Sequence, residues 1–413
     1  MRRRVVVTGL GALTPIGHGS EGLYQGLRRE RSAIDRISRF DATQFNCQIA
    51  GEVRDFDPAQ YLDQKRLRRL DRYSQFAVAC AHMAVADARL DLVDEDRDMI
   101  GCFVGSAVGG AAFGEDQHVV FMQQGINRVR PTLALSVFCG AASCNIAIDF
   151  DLRGPSSANS DSCTSGTIAI GEAFRTVRDG YADAMLAGGC EVPLTPMIFG
   201  SFSIIRAMST RNDDPARACR PFDRGRDGFV MSEGAALLIL EELEHARRRQ
   251  APIYGEVLGY GSSNDAHHMA APLPSGAQAA RAMRAALQEA EIPPEAVDYI
   301  NAHASSTPLN DAVETLAIKQ VFGDHAYRVP ISGTKAMHGH ALGASGAIEA
   351  AICMLAFQRA YLPPTVNLEE ADPACDLDYI PGHGREVAPR YILSNSFGFG
   401  GINGTLVFGQ PPA

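Results

Sequence analysis

The chain has 413 residues, 46% hydrophobic and 21% charged, with a net charge of −10 at pH 7. That length allows two or three domains, or one large duplicated one, and a core able to fold without disulfides or metal. The acidic balance disfavours nonspecific nucleic-acid binding, and no apolar window reaches the length of a membrane span.

The opening MRRRVVVTGLGALTP imitates a signal peptide. Its apolar run is short, glycine-broken and lacks a clean cleavage site, so VVVTG reads as a buried first strand. The next residues place Gly9 and Gly11 after that strand but put Thr14 where a dinucleotide fingerprint needs its third glycine, with Pro15 following. A nucleotide loop is therefore not expected. Strands are expected over 4–9, 99–106, 184–191, 234–242, 255–262, 297–302, 328–334, 391–397 and 404–408. Helices are expected over 74–89, 164–179, 276–291, 310–322 and 344–360. The alternation predicts an α/β protein. The helix at 344–360 is apolar almost all round, as a helix in the middle of a protein is. Two small-residue helices, one in each half, hint at duplication, with a seam at RRRQAP, 247–252. The expected units are 1–250 and 251–413.

Ten cysteines, at 47, 80, 102, 139, 144, 163, 190, 219, 353 and 375, form no C-x-x-C pair. Zinc is not expected, and thiols in apolar surroundings suit a reducing cytoplasm. Between 63 and 75, Lys65, Arg66, Arg68, Arg69 and Arg72 make a local basic face. It reads either as a solvated helix face or as a docking patch for an acidic partner.

Four stretches could carry chemistry. Cys163, in SDSCTSG, opens a helix whose free N–H groups favour a thiolate and could hold an oxyanion. Taken alone it reads rather as buried filler. His303, in YINAHASSTPLNDAVE, ends a strand and could face a cleft or simply cap the core. In ISGTKAMHGHALGASGAIEA, Lys335 is the obvious partner for Glu349, whose carboxylate falls inside an apolar helix. His340 lies where neighbours have little bulk, whereas His338 reads as a surface loop residue. Last, LSNSFGFGGINGTLVFG packs Phe397 and Phe399 among glycines, either as a mobile loop bringing N–H groups to a substrate or as an ordinary turn.

In combination these stretches resemble the β-ketoacyl-acyl carrier protein synthases of the thiolase superfamily, most closely the type II elongating enzymes of bacterial fatty-acid synthesis. The resemblance covers essentially the whole chain: VVVTGLGALTPIG, LRGPS, ACRPFDRGRDGFVMSEGA, NAHASSTPLND, GTKAMHGHALGASGAIE and NSFGFGGING, in that order. It implies a duplicated five-layer α-β-α-β-α sandwich, as a dimer. It implies an acyltransferase in which Cys163 takes an acyl chain from carrier-protein phosphopantetheine. The acyl-enzyme then condenses with malonyl-carrier protein after loss of carbon dioxide, lengthening the chain by two carbons. On this resemblance His303 and His340 stabilise the enolate from neutral imidazoles, and Lys335, held by Glu349, organises His340. A thiol of lowered pKa attacks, and the N–H groups of Cys163 and Phe399 hold the other oxyanion. Phe399, Gly400 and the following loop gate the acyl pocket beside Phe397, with Val108 near the chain. Ser305 and Thr307 contact pantetheine, and Lys65, Arg68, Arg69 and Arg206 dock the carrier. No cofactor or metal is implied.

Departures from the family pattern touch chain selection. Ile402 stands where threonine is usual, Ala304 and Ser305 replace glycine and threonine, and Ser162 replaces alanine. The alternative is the catalytic ketosynthase of a type II polyketide or polyene pathway, working with a chain-length-factor partner. A thiolase would carry a second cysteine near the C-terminus, where this chain has Phe399. A starter-condensing synthase would have asparagine in place of His340. A noncatalytic chain-length factor would lack Cys163.

Overall fold

The computed structural model describes residues 2–412. The first half supplies β1 (Val5–Thr14), β2 (Ile100–Gly105), β3 (Ser156–Asn159), β4 (Ala184–Glu191) and β5 (Gly234–Glu242). The second supplies β6 (Gly255–Asn264), β7 (Tyr299–Asn301), β8 (Ile331–Ser332), β9 (Tyr391–Gly398) and β10 (Ile402–Gly409). One hydrogen-bonded path runs β3–β2–β4–β5–β1 and continues β6–β10–β9–β7–β8. The two arrays share a plan. In each, the first strand pairs antiparallel with the last, the last antiparallel with its predecessor, and the remaining pairs are parallel. They join where Val5–Val7 pairs with Gly255–Val257.

Helices α1 (Arg72–Asp87) and α2 (Ala141–Phe150) cover the outer face of the first array. Helices α4 (Ala277–Ala290) and α5 (Pro308–Phe322) cover that of the second. Between the arrays lie α3 (Ser165–Arg178) and α6 (Ser345–Arg359), inside the largest apolar cluster. The result is five layers. Every residue of α6 from Ser345 to Ala356 is buried, which explains its lack of a polar face. The two middle helices approach backbone to backbone. A Cβ at Gly166 would lie 2.9 Å from Gly343 O, and one at Gly346 would lie 2.0 Å from Thr167 Oγ1. Only glycine permits that spacing.

The expected strands and helices are present, with shifted ends. Strand β1 runs on to Thr14 because every residue in it is buried, including the glycines. At the seam, a helix over Leu243–Arg248 is followed by the chain entering β6. Strand β3 was not anticipated: its sequence SSAN is short, polar and half-exposed at the sheet edge. The helices at Ala111–Gln124 and α2 were not anticipated either, since neither shows a clean apolar stripe. No helix of the described residues is long and apolar enough to cross a membrane.

Candidate active site

Cys163 sits in a tight turn, Ser162–Thr164, that leads straight into α3. Ser162 adopts the left-handed conformation, φ 56°. The turn is pinned by Ser165, whose hydroxyl donates to Ser162 O at 2.7 Å. Against it packs the end of β9. A Cβ on Gly398 would meet Cys163 N at 3.2 Å, and the Phe399 main chain favours the Cys163 thiolate against burial.

His303 follows β7. The carboxylate of Glu314, on α5, accepts the N–H groups of His303 and Ala304, each at 2.8 Å. Lys335 Nζ donates to His303 O at 2.6 Å and pairs with Glu349 on α6. His340 shares a hydrogen bond between Nδ1 and Ser345 Oγ, 2.8 Å, at the first residue of α6. The two imidazoles meet edge to face with centroids 5.3 Å apart, and Phe397 and Phe229 flank them.

Burial dominates the electrostatics. It holds both His303 and His340 well below the usual histidine range, and the Lys335 ammonium pushes the same way, so both rings are neutral. Burial raises Glu314 and Glu349 to about 7, the latter in spite of Lys335.

Cys163, His303, His340, Phe399, Ser305 and Thr307 line one cavity of about 350 Å³. Phe397 borders it as well, and Arg206 lies at its exposed margin. Ser305 and Thr307 bond each other at 2.9 Å, and Thr307 caps α5. Ala304, where glycine is usual, takes φ 45°, so alanine occupies a left-handed position here. Ile402 begins β10, opposite Gly398 and Asn264. Gly400 takes φ 82°, and its N–H bonds Met269 O at 2.8 Å.

Several expectations are corrected. The Cys163 thiol is raised rather than lowered: burial outweighs the favourable contacts. Lys335 binds the His303 main chain and Glu349, and it is Ser345 that holds the His340 ring. Val108 is not among the cavity residues; its N–H is taken by Glu191 at 3.2 Å. Gly400 and Ile402 also lie outside the lining. His338 is fully buried, with Nε2 3.2 Å from Thr334 Oγ1, not a surface residue. Of the basic face, Lys65, Arg68 and Arg69 are exposed on a short helix, Gln64–Arg69. Arg66 is tied to Asp149, and Arg72 to buried Glu233 at 2.8 Å.

Ser345, Glu314 and Glu191 were not singled out in the sequence. Glu191 ends β4 and accepts from the Ser106 hydroxyl and the N–H groups of Ala107, Val108 and Gly343, at 2.6 to 3.2 Å. It ties the 106–108 loop to the turn before α6. A carboxylate closing an apolar strand was the available signal.

Two family models match the chain: the β-ketoacyl synthase N-terminal domain over residues 2–246 and the C-terminal domain over 254–369. The chain is 48% identical over 407 residues to a 3-oxoacyl-[acyl-carrier-protein] synthase 2 of Synechocystis sp., covering 98% of each. Among solved structures it resembles a ketosynthase described as bound to the hexaketide and in complex with its type II polyketide synthase acyl-carrier protein. That match has TM-score 0.92 and 36% identity, with all of both chains covered. It also resembles the ishigamide ketosynthase/chain length factor, at TM-score 0.94 and 35% identity, again over all of both chains. The fold is the thiolase-like one. The chain belongs to the β-ketoacyl synthase family.

Proposed function

We infer that this protein is an elongating 3-oxoacyl-acyl-carrier-protein synthase of fatty-acid synthesis. The observation that carries the reading is one cavity holding a cysteine at a helix N-terminus and two neutral, touching imidazoles. Cys163 Sγ attacks the thioester of an acyl-carrier protein, and the carrier's thiol leaves. Malonyl-carrier protein then enters. Its carboxylate departs as carbon dioxide, and the electron pair passes into an enolate whose oxygen accepts hydrogen bonds from His303 and His340. A protonated histidine would be a stronger donor but would also quench the carbanion; neutral rings donate without doing so. The enolate carbon attacks the acyl carbonyl. The resulting oxyanion lies against the N–H groups of Cys163 and Phe399, and collapse expels the Cys163 thiolate. Lys335, Glu349, Glu314 and Ser345 do not touch the reacting atoms; they fix the histidines. Pantetheine runs past Ser305 and Thr307, and the carrier docks on Lys65, Arg68, Arg69 and Arg206. No cofactor takes part.

Large apolar side chains, among them Met122, Ile126 and Leu135 at 68 to 70% exposure, stand on the segments around Ala111–Gln124. A homodimer formed through that face covers them. A second reading is favoured by the likeness to a ketosynthase/chain length factor pair: the same chemistry in a polyketide or polyene pathway, with a heterologous partner there. In either case the enzyme works in the cytoplasm.

Intact-protein mass spectrometry after incubation with a panel of acyl-carrier proteins, then malonyl-carrier protein, tests the assignment. Saturated medium or long chains should load on Cys163 and be extended. Loading restricted to short or polyunsaturated chains, or extension only with a second subunit, would move the protein to the polyketide reading. An adduct persisting on Cys163→Ala would remove the nucleophile.

A further inference from the structure

The nucleophile is buried, at 7% exposure, and burial pushes its thiol up. Something must offset that for a thiolate to form near neutral pH. The α3 N-terminus and the Phe399 N–H are main-chain devices available to any sequence in this turn. One side chain is added to them. Ser162 Oγ lies 3.8 Å from Cys163 Sγ, within hydrogen-bonding reach of sulfur.

Ser162 takes a left-handed backbone, φ 56°, in the turn that carries Cys163. The left-handed turn is held from both sides: Ser165 binds the Ser162 carbonyl at 2.7 Å, and a Cβ on Gly398 would come within 3.3 Å of Ser162 Cβ. The Ser162 hydroxyl is the largest influence opposing burial at Cys163, ahead of the Lys335 ammonium and the Phe399 N–H.

We propose that Ser162 is a catalytic residue of this chain, its hydroxyl donating to Cys163 Sγ and holding the charge of the thiolate as it attacks and again as it leaves. The inference rests on Cys163 being the nucleophile. Both half-reactions pass through the same thiolate, so one donor serves both. A hydrogen bond to a charged partner is stronger than one to the neutral thiol, so the preference is for the ionised form.

The test is the pH dependence of Cys163 alkylation by iodoacetamide, followed by peptide mapping because nine other cysteines are present. Wild type, Ser162→Ala and Ser162→Gly are compared. Both variants lack the hydroxyl, but glycine also relieves the left-handed backbone. The expected result is the same upward shift of the alkylation midpoint in both, by about half to one pH unit, a threefold to tenfold loss of thiolate below the midpoint. The rate at high pH should not fall, since a more basic thiolate is at least as nucleophilic. An unchanged midpoint in both variants overturns the proposal. So does a shift in Ser162→Ala that is absent from Ser162→Gly, which would assign the effect to the backbone. Alkylation reads the thiolate directly, whereas acyl loading of Cys163→Ala reads the nucleophile assignment, so either can fail without the other.

Discussion

Lys335 Nζ donates to the main-chain carbonyl of His303 at 2.6 Å, so the ammonium fixes the histidine by its backbone and leaves the ring free for substrate. The same ammonium neutralises Glu349, and both side chains are fully buried. Removing Lys335 takes a buried donor from the His303 carbonyl and from Glu349, whose carboxyl, already raised to about 7, then takes a proton, at about 1–3 kcal/mol for each group left unpaired. Lys335→Met should therefore lower the melting temperature by several degrees. It should also move the acid limb of malonyl decarboxylation. Lys335 helps depress both histidines, so without it their pKa values rise and each ring becomes protonated at higher pH. Activity should be lost at a higher pH than in wild type. The double variant Lys335→Met/Glu349→Leu should regain stability without regaining decarboxylation. An acid limb that stays in place in Lys335→Met would show that the ammonium does not act on the rings.

Ser345 is the matching support for His340. For Nε2 to donate to an enolate, Nδ1 must accept, and the Ser345 hydroxyl 2.8 Å away can supply the proton. Ser345→Ala strands a buried ring nitrogen, worth about 1–3 kcal/mol. If that cost falls on the donor geometry, decarboxylation slows by roughly 10–100-fold, with KM for malonyl-carrier protein little changed. Acyl loading of Cys163 should stay near wild type. Equal loss in both steps would point to general damage at the start of α6.

His338 has no place in the cavity, and its effect is on stability. Burial, with Lys335 adding to it, holds its pKa down to about 3, against 6.5 in the unfolded chain. Between those values the unfolded chain binds a proton that the fold refuses, so stability is lost as pH falls through that window. Between pH 7 and 5 the single ring should account for roughly 2 kcal/mol. Urea unfolding of His338→Gln at the two pH values should show a smaller fall than wild type by about that amount. Parallel falls would place the proton uptake elsewhere.

The three exposed cations of the short basic helix make no ion pair among the described residues, unlike Arg66 and Arg72. Reversing Lys65, Arg68 and Arg69 to glutamate should weaken carrier-protein binding about tenfold to a hundredfold at low salt, and less at high salt. Calorimetric titration at two ionic strengths checks both. An affinity that does not respond would leave these residues as a solvated face.

The elements legible in the sequence carried their own pattern, a continuous apolar run or, as in α4, an amphipathic period. Strands β4 and β5 and the helix α6 are continuous apolar runs, and periodicity identifies them without reference to neighbours. Strand β3 and the Ala111–Gln124 helix depend on what they pack against and leave no local pattern. The site divides the same way. Cys163, His303 and His340 announced themselves through the residues around them. Which partner each would hold did not: Lys335 reaches His303 from 32 residues away, and neither Ser345 nor Glu314 carries a local signal that it turns back on its histidine. His338 was misplaced because a stretch rich in glycine looks like a surface loop, whereas here Gly339 lies so close to Ser232 that a Cβ would come within 2.9 Å of it. The thiol of Cys163 was misjudged in sign because helix polarity can be read from a sequence and desolvation cannot.

The crossing of α3 and α6 at Gly166 and Gly346 has a bearing on how this enzyme can change. Cys163 leads into α3 and His340, bonded to Ser345, leads into α6, two stiff rods that touch where Gly166 meets the Ala347 main chain. Their separation is set by two glycines, Gly166 against the Ala347 main chain and Gly346 against the Thr167 and Ser396 hydroxyls. The rest of the cavity wall belongs to other segments, around Phe202 and Met269. Substrate range can drift through those walls while the reacting groups keep their spacing, as a lathe keeps its spindle when the tool is exchanged.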